Sequence, residues 1–230
     1  MRITVGQLRT LIREAIQEMR PDLKPDCDTF AVFDFDETLA LTDSEILVVD
    51  DDGKKIKSLT PAKYAIYIPE PGENFDFSEF DIVKDGRPTA LVDVLRDVAA
   101  CGTTAAAILT ARGPKAQEPI RQFFADMGIK LQIIDTVNTS DPQAKARKIK
   151  GYLRDFNPRV IHFFEDSPKN LEAVKKMAKS DPEFKNVEVI LHKMVDGNKV
   201  DIDRVEYEGL NAIAAPEDSK HILTTISTSI

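Results

Sequence analysis

The chain of 230 residues has no apolar run approaching the ~20 residues that a bilayer-spanning helix needs. No membrane partner is expected. Its opening residues lack a signal-peptide pattern as well, because Arg9, Arg13 and Glu14 interrupt the apolar positions. Cysteine is scarce, with two residues in all, Cys27 and Cys101. Both flank segments that read as strands and resemble small buried residues. Nothing requires a disulfide, so a reducing cytoplasm is the expected setting. A basic excess is missing too. The formal net charge of −8 argues against a broad nucleic-acid surface, though not against a local basic groove. Hydrophobic residues make up 42% of the chain, enough for a proper core, and the length suits one domain with decorations or a domain plus a small insertion.

One stretch organises the rest, Ala31-Val-Phe-Asp-Phe-Asp-Glu-Thr-Leu-Ala40. The apolar run Phe30 to Phe33 reads as a strand buried on both faces, as in the middle of a parallel sheet. It ends in two carboxylates one residue apart, Asp34 and Asp36, followed by Thr38. The C-terminal end of such a strand is where open α/β sheets place their ligands. Two carboxylates there repel each other unless a cation lies between them, and a hard divalent ion with oxygen ligands is the natural candidate. A strand followed by an acidic turn with a Thr cap is the plainer alternative. The Asp-x-Asp-x-Thr spacing directly after an apolar strand favours the metal site.

At these residues the sequence resembles the haloacid dehalogenase (HAD) superfamily in its phosphohydrolase form. The resemblance implies that Asp34 attacks phosphorus and becomes a phospho-aspartate. It makes Asp36 the general acid and then the general base, with Mg²⁺ beside the nucleophile.

Taken in order, the chain opens with an amphipathic helix over residues 1–20. Thr4 and Gln7 have capping-box spacing, and Leu8, Leu11, Ile12, Ala15, Ile16 and Met19 recur at helical intervals before Pro21. Its apolar face is expected to pack on its own domain, with a partner interface as the alternative. The first nine residues also resemble the starts of some proteins of tailed bacteriophages, which would make the helix a targeting arm and virion association conceivable. Residues 21–28 form a polar linker, 29–209 the catalytic domain and 210–230 a polar tail.

Residues 41–88 read as an insertion between the first strand and the first core helix. Ile46 to Val49 and Lys54 to Leu59 flank Asp51-Asp52-Gly53, a hairpin signal. Thr60-Pro61 opens a short helix through Tyr67, and Asn74 to Phe80 alternates aromatic and polar residues, as a strand or an ordered loop. In HAD-like enzymes such an insertion covers the active site. Here it is expected to be a hairpin flap with a small appendage, similar to that of small phage-encoded HAD-like proteins.

The remaining motifs follow in order. A helix over Thr89 to Ala100 leads to a strand ending in Thr110, which resembles the second HAD motif. A hydroxyl and the adjoining backbone N–H groups at Thr110 and Ala111 can hold phosphate oxygens. Arg112 either touches substrate or pairs with a nearby carboxylate. After a helix over Pro114 to Met127 and a strand over Leu131 to Ile134, Asp141-Pro142 caps a helix carrying Lys145, Arg147, Lys148 and Lys150. The third HAD motif is a single basic residue that neutralises nucleophile and phosphate. Lys145, near the helix start, is the choice and Lys148 the fallback. A strand ending in Glu165-Asp166, with Ser167-Pro168 capping a helix to about Lys179, resembles the fourth motif. Asp166 is then a metal ligand, with Glu165 a second ligand or outer partner. His162 inside that strand reads as a satisfied buried histidine. A strand from Val187 to Leu191 and a hairpin at Asp196-Gly197-Asn198 close the domain.

The expected fold is therefore a Rossmann-like, doubly wound parallel α/β sheet. The function implied by the resemblance is Mg²⁺-dependent hydrolysis of a phosphomonoester on a small molecule or nucleotide. Two alternatives stand beside it: a 3′-phosphatase acting on nucleic-acid ends, and a non-catalytic HAD-like phage structural or binding protein.

Overall fold

The computed structural model describes residues 29–208 apart from 65–66 and 102–105. The sequence expectations for the helix over 1–20, the linker 21–28 and the tail 210–230 fall outside the described residues.

A six-stranded sheet forms the centre, built from β1 (Thr29–Phe33), β7 (Ala106–Thr110), β8 (Ile133–Thr136), β9 (Val160–Glu165), β10 (Glu188–Val195) and β11 (Asn198–Val205), in the order β11-β10-β9-β1-β7-β8. All neighbours are parallel except β10 and β11. Strand β1 shows why its apolar run is unbroken. Ala31 and Phe33 join the core on one face, beneath α2 (Leu91–Cys101) and α3 (Gln117–Ala125). Phe30 and Val32 join the core on the other, beneath α4 (Pro142–Phe156) and α5 (Pro168–Ser180). A strand covered on both faces has no side free for polar residues. The chain leaves β1 for β7 and β8 on one side and returns to β9 on the other. The sheet order thus reverses at β1, and ligands of such sheets lie where it does.

The insertion makes its own small layer. Strands β3 (Ile46–Val49), β4 (Lys55–Leu59) and β5 (Asn74–Asp76) form an antiparallel sheet in the order β4-β3-β5, and the short helix α1 (Pro61–Tyr64) follows β4. The expected hairpin is there, and the alternating segment supplies a third strand and then a 3₁₀ turn over Ser78–Asp81. Tyr64 packs edge to face on Phe75 and Phe77, and Tyr67 edge to face on Phe75, which is paired with the buried Val48. At the root, the two-residue strands β2 (Ala40–Leu41) and β6 (Arg87–Pro88) pair. No helix among the described residues is long and apolar enough to cross a membrane.

Boundaries differ from expectation at several elements, among them the helix expected over Pro114 to Met127, which is a 3₁₀ turn over Pro114–Ala116 and then a helix over Gln117–Ala125. The short helix is described over Pro61–Tyr64, and Tyr67 is not helical. The third parallel strand is Ile133–Thr136, two residues later than the apolar signal, because Ile129 and Leu131 are buried as loop residues, giving a core run without strand pairing. Strand β10 continues past Leu191 to Val195 because β11 pairs along its whole length.

The tip of the β10–β11 hairpin reaches back to the first strand. Gly197 N–H donates to the Glu37 carbonyl at 2.9 Å. Gly197 has φ +73°, and a Cβ there would lie 2.2 Å from Thr89 Cβ. Thr89 in turn donates to the Thr38 carbonyl at 2.7 Å. Gly197→Ala is expected to cost about 2–4 kcal/mol from left-handed strain and overpacking together. Thermal unfolding checks this, and a midpoint equal to wild type would contradict the packing described.

Candidate active site

Every motif residue comes to the C-terminal ends of the parallel strands or to the turns just beyond them. Asp34 directly follows β1 and its N–H donates to Phe164 O at 2.9 Å, fixing it against β9. Thr110 ends β7, Glu165 ends β9, and Lys145 stands in the first turn of α4 after the Asp141 cap, whose carboxylate accepts from Gln143 N–H at 3.0 Å. Asp36 and Thr38 lie in a tight turn in which Leu39 and Ala40 N–H both donate to Phe35 O, with Glu37 at φ 57°. Burial of Phe35 and Leu39 holds that turn down.

Lys145 is the centre of the charge arrangement. Its ammonium donates to Asp34 Oδ1 at 2.6 Å and to Glu165 Oε2 at 2.8 Å. Lys148 instead pairs with Asp135 at 3.1 Å on a side chain that is 42% exposed. Of the two lysines, it is Lys145 that reaches the carboxylates at the strand ends. Glu165 has its other oxygen on the Ser167 N–H at 3.1 Å, so both its oxygens are engaged. One oxygen each of Asp34, Glu165 and Asp166 lies within 4.8 Å of the others, a grouping able to hold a metal ion. Three carboxylates thus crowd one ammonium.

The titration behaviour follows from that crowding. Burial, then the Glu165 charge, pushes the Asp34 carboxyl well above its ordinary value, against the pull of Lys145. The same two causes raise Asp166 to about 7. For Lys145, burial disfavours the charge, but Asp34 and Glu165 outweigh it and hold the ammonium firmly protonated. Asp34 and Asp166 bind protons more tightly folded than unfolded. The stabilising contribution of Asp166 is therefore complete below about pH 4 and is lost as pH rises to about 7, and that of Asp34 is lost in the same direction. In chelator, the thermal midpoint is expected to fall across that window, less steeply in Asp166→Asn, and Mg²⁺ is expected to flatten it. Identical profiles for wild type and variant would contradict the crowding.

Thr110 Oγ1 accepts from Arg112 N–H at 3.2 Å, which leaves its own proton to donate. Ala111 is exposed beside it. Thr38 is wholly buried, and its hydroxyl has no hydrogen-bond partner among the described residues. Arg112 resolves toward a carboxylate. Its guanidinium makes a bidentate pair with Asp36, Nε to Oδ2 at 2.8 Å and Nη2 to Oδ1 at 2.7 Å, and is buried. His162 is the expected buried histidine, with Nδ1 at 2.9 Å from His192 Nε2. Sequence reasoning missed Thr42 and Ser44, which meet Arg112 from the insertion, Glu79, which ties the insertion's legs together, and Gly197 and Thr89 behind the turn that carries Asp36. Asp-Gly and Gly-Asn mark a turn, but no local pattern says what a turn rests against.

Compared with protein-family models, with curated proteins and with solved structures, the chain has no match.

Proposed function

We propose that the protein is a Mg²⁺-dependent phosphohydrolase of the HAD type, cleaving a phosphomonoester through a phospho-aspartate on Asp34. The observation that carries this reading is the group of three carboxylates around one ammonium at the strand ends. Their charges call for a second cation, and an all-oxygen donor set suits Mg²⁺. Asp34, Asp166 and the backbone carbonyl of Asp36 would hold it, with Glu165 supporting from outside because both its oxygens are engaged. When bound, the ion supplies charge neutralisation for the transferring phosphoryl group.

The residues of the chain do the rest. Asp34 attacks phosphorus as the bond to the leaving oxygen breaks, and Asp36 gives that oxygen its proton. Asp36 then takes a proton from water, whose oxygen attacks the phospho-aspartate and frees phosphate and Asp34. The Thr110 hydroxyl and the Lys145 ammonium steady the phosphoryl oxygens. A cytoplasmic location goes with this reading, in a host cell if the chain is phage-encoded.

The test is phosphate release from a panel of an aryl phosphate, mono- and deoxynucleotides, and 3′- and 5′-phosphorylated oligonucleotides, each with Mg²⁺ and with chelator. Release that needs Mg²⁺ is expected. Preference for 3′-phosphorylated oligonucleotides with salt-sensitive binding would assign nucleic-acid ends. Silence across the panel, with Mg²⁺ still bound, would overturn catalysis in favour of a binding role.

A further inference from the structure

The two legs of the insertion are tied to each other at their root. Asp43 N–H donates to Lys84 O at 3.0 Å, Ser44 Oγ to Glu79 O at 3.1 Å and Glu45 N–H to Glu79 Oε2 at 2.8 Å. Lys84 then pairs with Glu79 at 2.9 Å. One cation joins this root to the catalytic turn. Arg112 holds both Asp36 oxygens and reaches the outgoing leg at Thr42 Oγ1 (3.1 Å) and Ser44 Oγ (3.5 Å). It reaches the return leg at the carbonyls of Phe80 (3.1 Å) and Ile82. Thr42 also donates to Asp36 Oδ1 at 3.1 Å. The guanidinium lies 5.1 Å from the ring centroids of both Phe35, beside Asp36, and Phe80, in the return leg. Its side chain is 1% exposed.

We propose that Arg112 is a positioning residue that couples the insertion to Asp36, so that the placement of the insertion's legs sets the orientation of the carboxylate that donates and accepts the proton. A planar fork of donors can grip a carboxylate and two carbonyls at once, and an ammonium cannot. With both Asp36 oxygens gripped, the plane of its carboxylate is fixed, and the contacts that fix it include those from the insertion. The functional part of the proposal rests on the phosphohydrolase reading, while the coupling itself is testable without turnover.

The experiment uses the full chain, with Arg112→Lys and Thr42→Val as variants. Hydrogen–deuterium exchange is expected to quicken in residues 42–45 and 79–84 of Arg112→Lys and to stay unchanged in α5. Equal exchange in both segments would overturn the coupling, whether or not the protein proves to be a phosphatase. With aryl phosphates of graded leaving-group basicity, Arg112→Lys is expected to lower kcat by about 10- to 100-fold with KM nearly unchanged. The loss is expected to grow as the leaving group becomes more basic, because those substrates depend most on a well-aimed acid. Thr42→Val is expected to follow the same trend more weakly. A loss equal for all leaving groups would overturn the role through Asp36. A wild type inert toward every aryl phosphate would count against the phosphatase reading, and the exchange data would still decide the coupling.

Discussion

Asp34→Asn is expected to lower phosphate release by on the order of 10⁴-fold or more, with the fold intact. The amide keeps the shape and its oxygen can still accept a hydrogen bond from the Lys145 ammonium, but it is no nucleophile. Its fold survives for an electrostatic reason. Asp34 is a buried carboxylate whose charge is opposed by Glu165 and Asp166 as well as by burial, so neutralising it removes repulsion along with the pair to Lys145. Circular dichroism and thermal unfolding beside the activity assay separate the two effects. Activity near wild type in the Asn variant would take the nucleophile role away from Asp34.

Lys145→Met is expected to combine loss of activity with a large loss of stability in chelator. Its ammonium, 3% exposed, is the cation shared by Asp34 and Glu165. Breaking a buried pair by removing one partner costs about 3–5 kcal/mol. For a chain of this size that corresponds to a fall of about 6–20 °C in Tm. Mg²⁺ is expected to recover part of it, since an ion that binds only the folded form stabilises by mass action. Lys148→Met is the control. Its exposed pair with Asp135 is worth at most about 1 kcal/mol. Equal midpoints for the two variants in chelator would contradict the central place given to Lys145.

Much of the fold and of the site is legible from local signals. An apolar run that stops at Asp34 is both a buried strand and a site, because a strand covered on both faces turns polar only where it leaves the core. Pro after Asp141 and after Ser167 fixes two helix starts, and with them the position of Lys145 and of the turn carrying Asp166. Lys145 could be preferred to Lys148 only by its place near the helix start, and in the structure it is Lys145 that meets Asp34 and Glu165.

What was not legible is long-range. Arg112 and Asp36 are 76 positions apart. Nothing near either residue tells a substrate-binding arginine from one committed to a neighbouring carboxylate. The carbonyls of Phe80 and Ile82 that complete the guanidinium's contacts carry no side-chain signature at all. Gly197 reads as half of a turn, and only the approach of Thr89 explains why that turn cannot carry a side chain. The slip of β8 has the same origin, since burial of Ile129 and Leu131 imitates a strand in the sequence while pairing begins at Ile133.

The covalent step is tested most directly by acid quench and peptide mass analysis. The protein would be mixed with Mg²⁺ and whichever phosphomonoester the panel shows to be hydrolysed fastest, quenched within the first turnover, digested and searched for a phosphoryl adduct. The adduct is expected on the peptide containing Asp34, absent in chelator and absent in Asp34→Asn. An adduct on another residue, or rapid turnover with no adduct at any quench time, would contradict the phospho-aspartate mechanism.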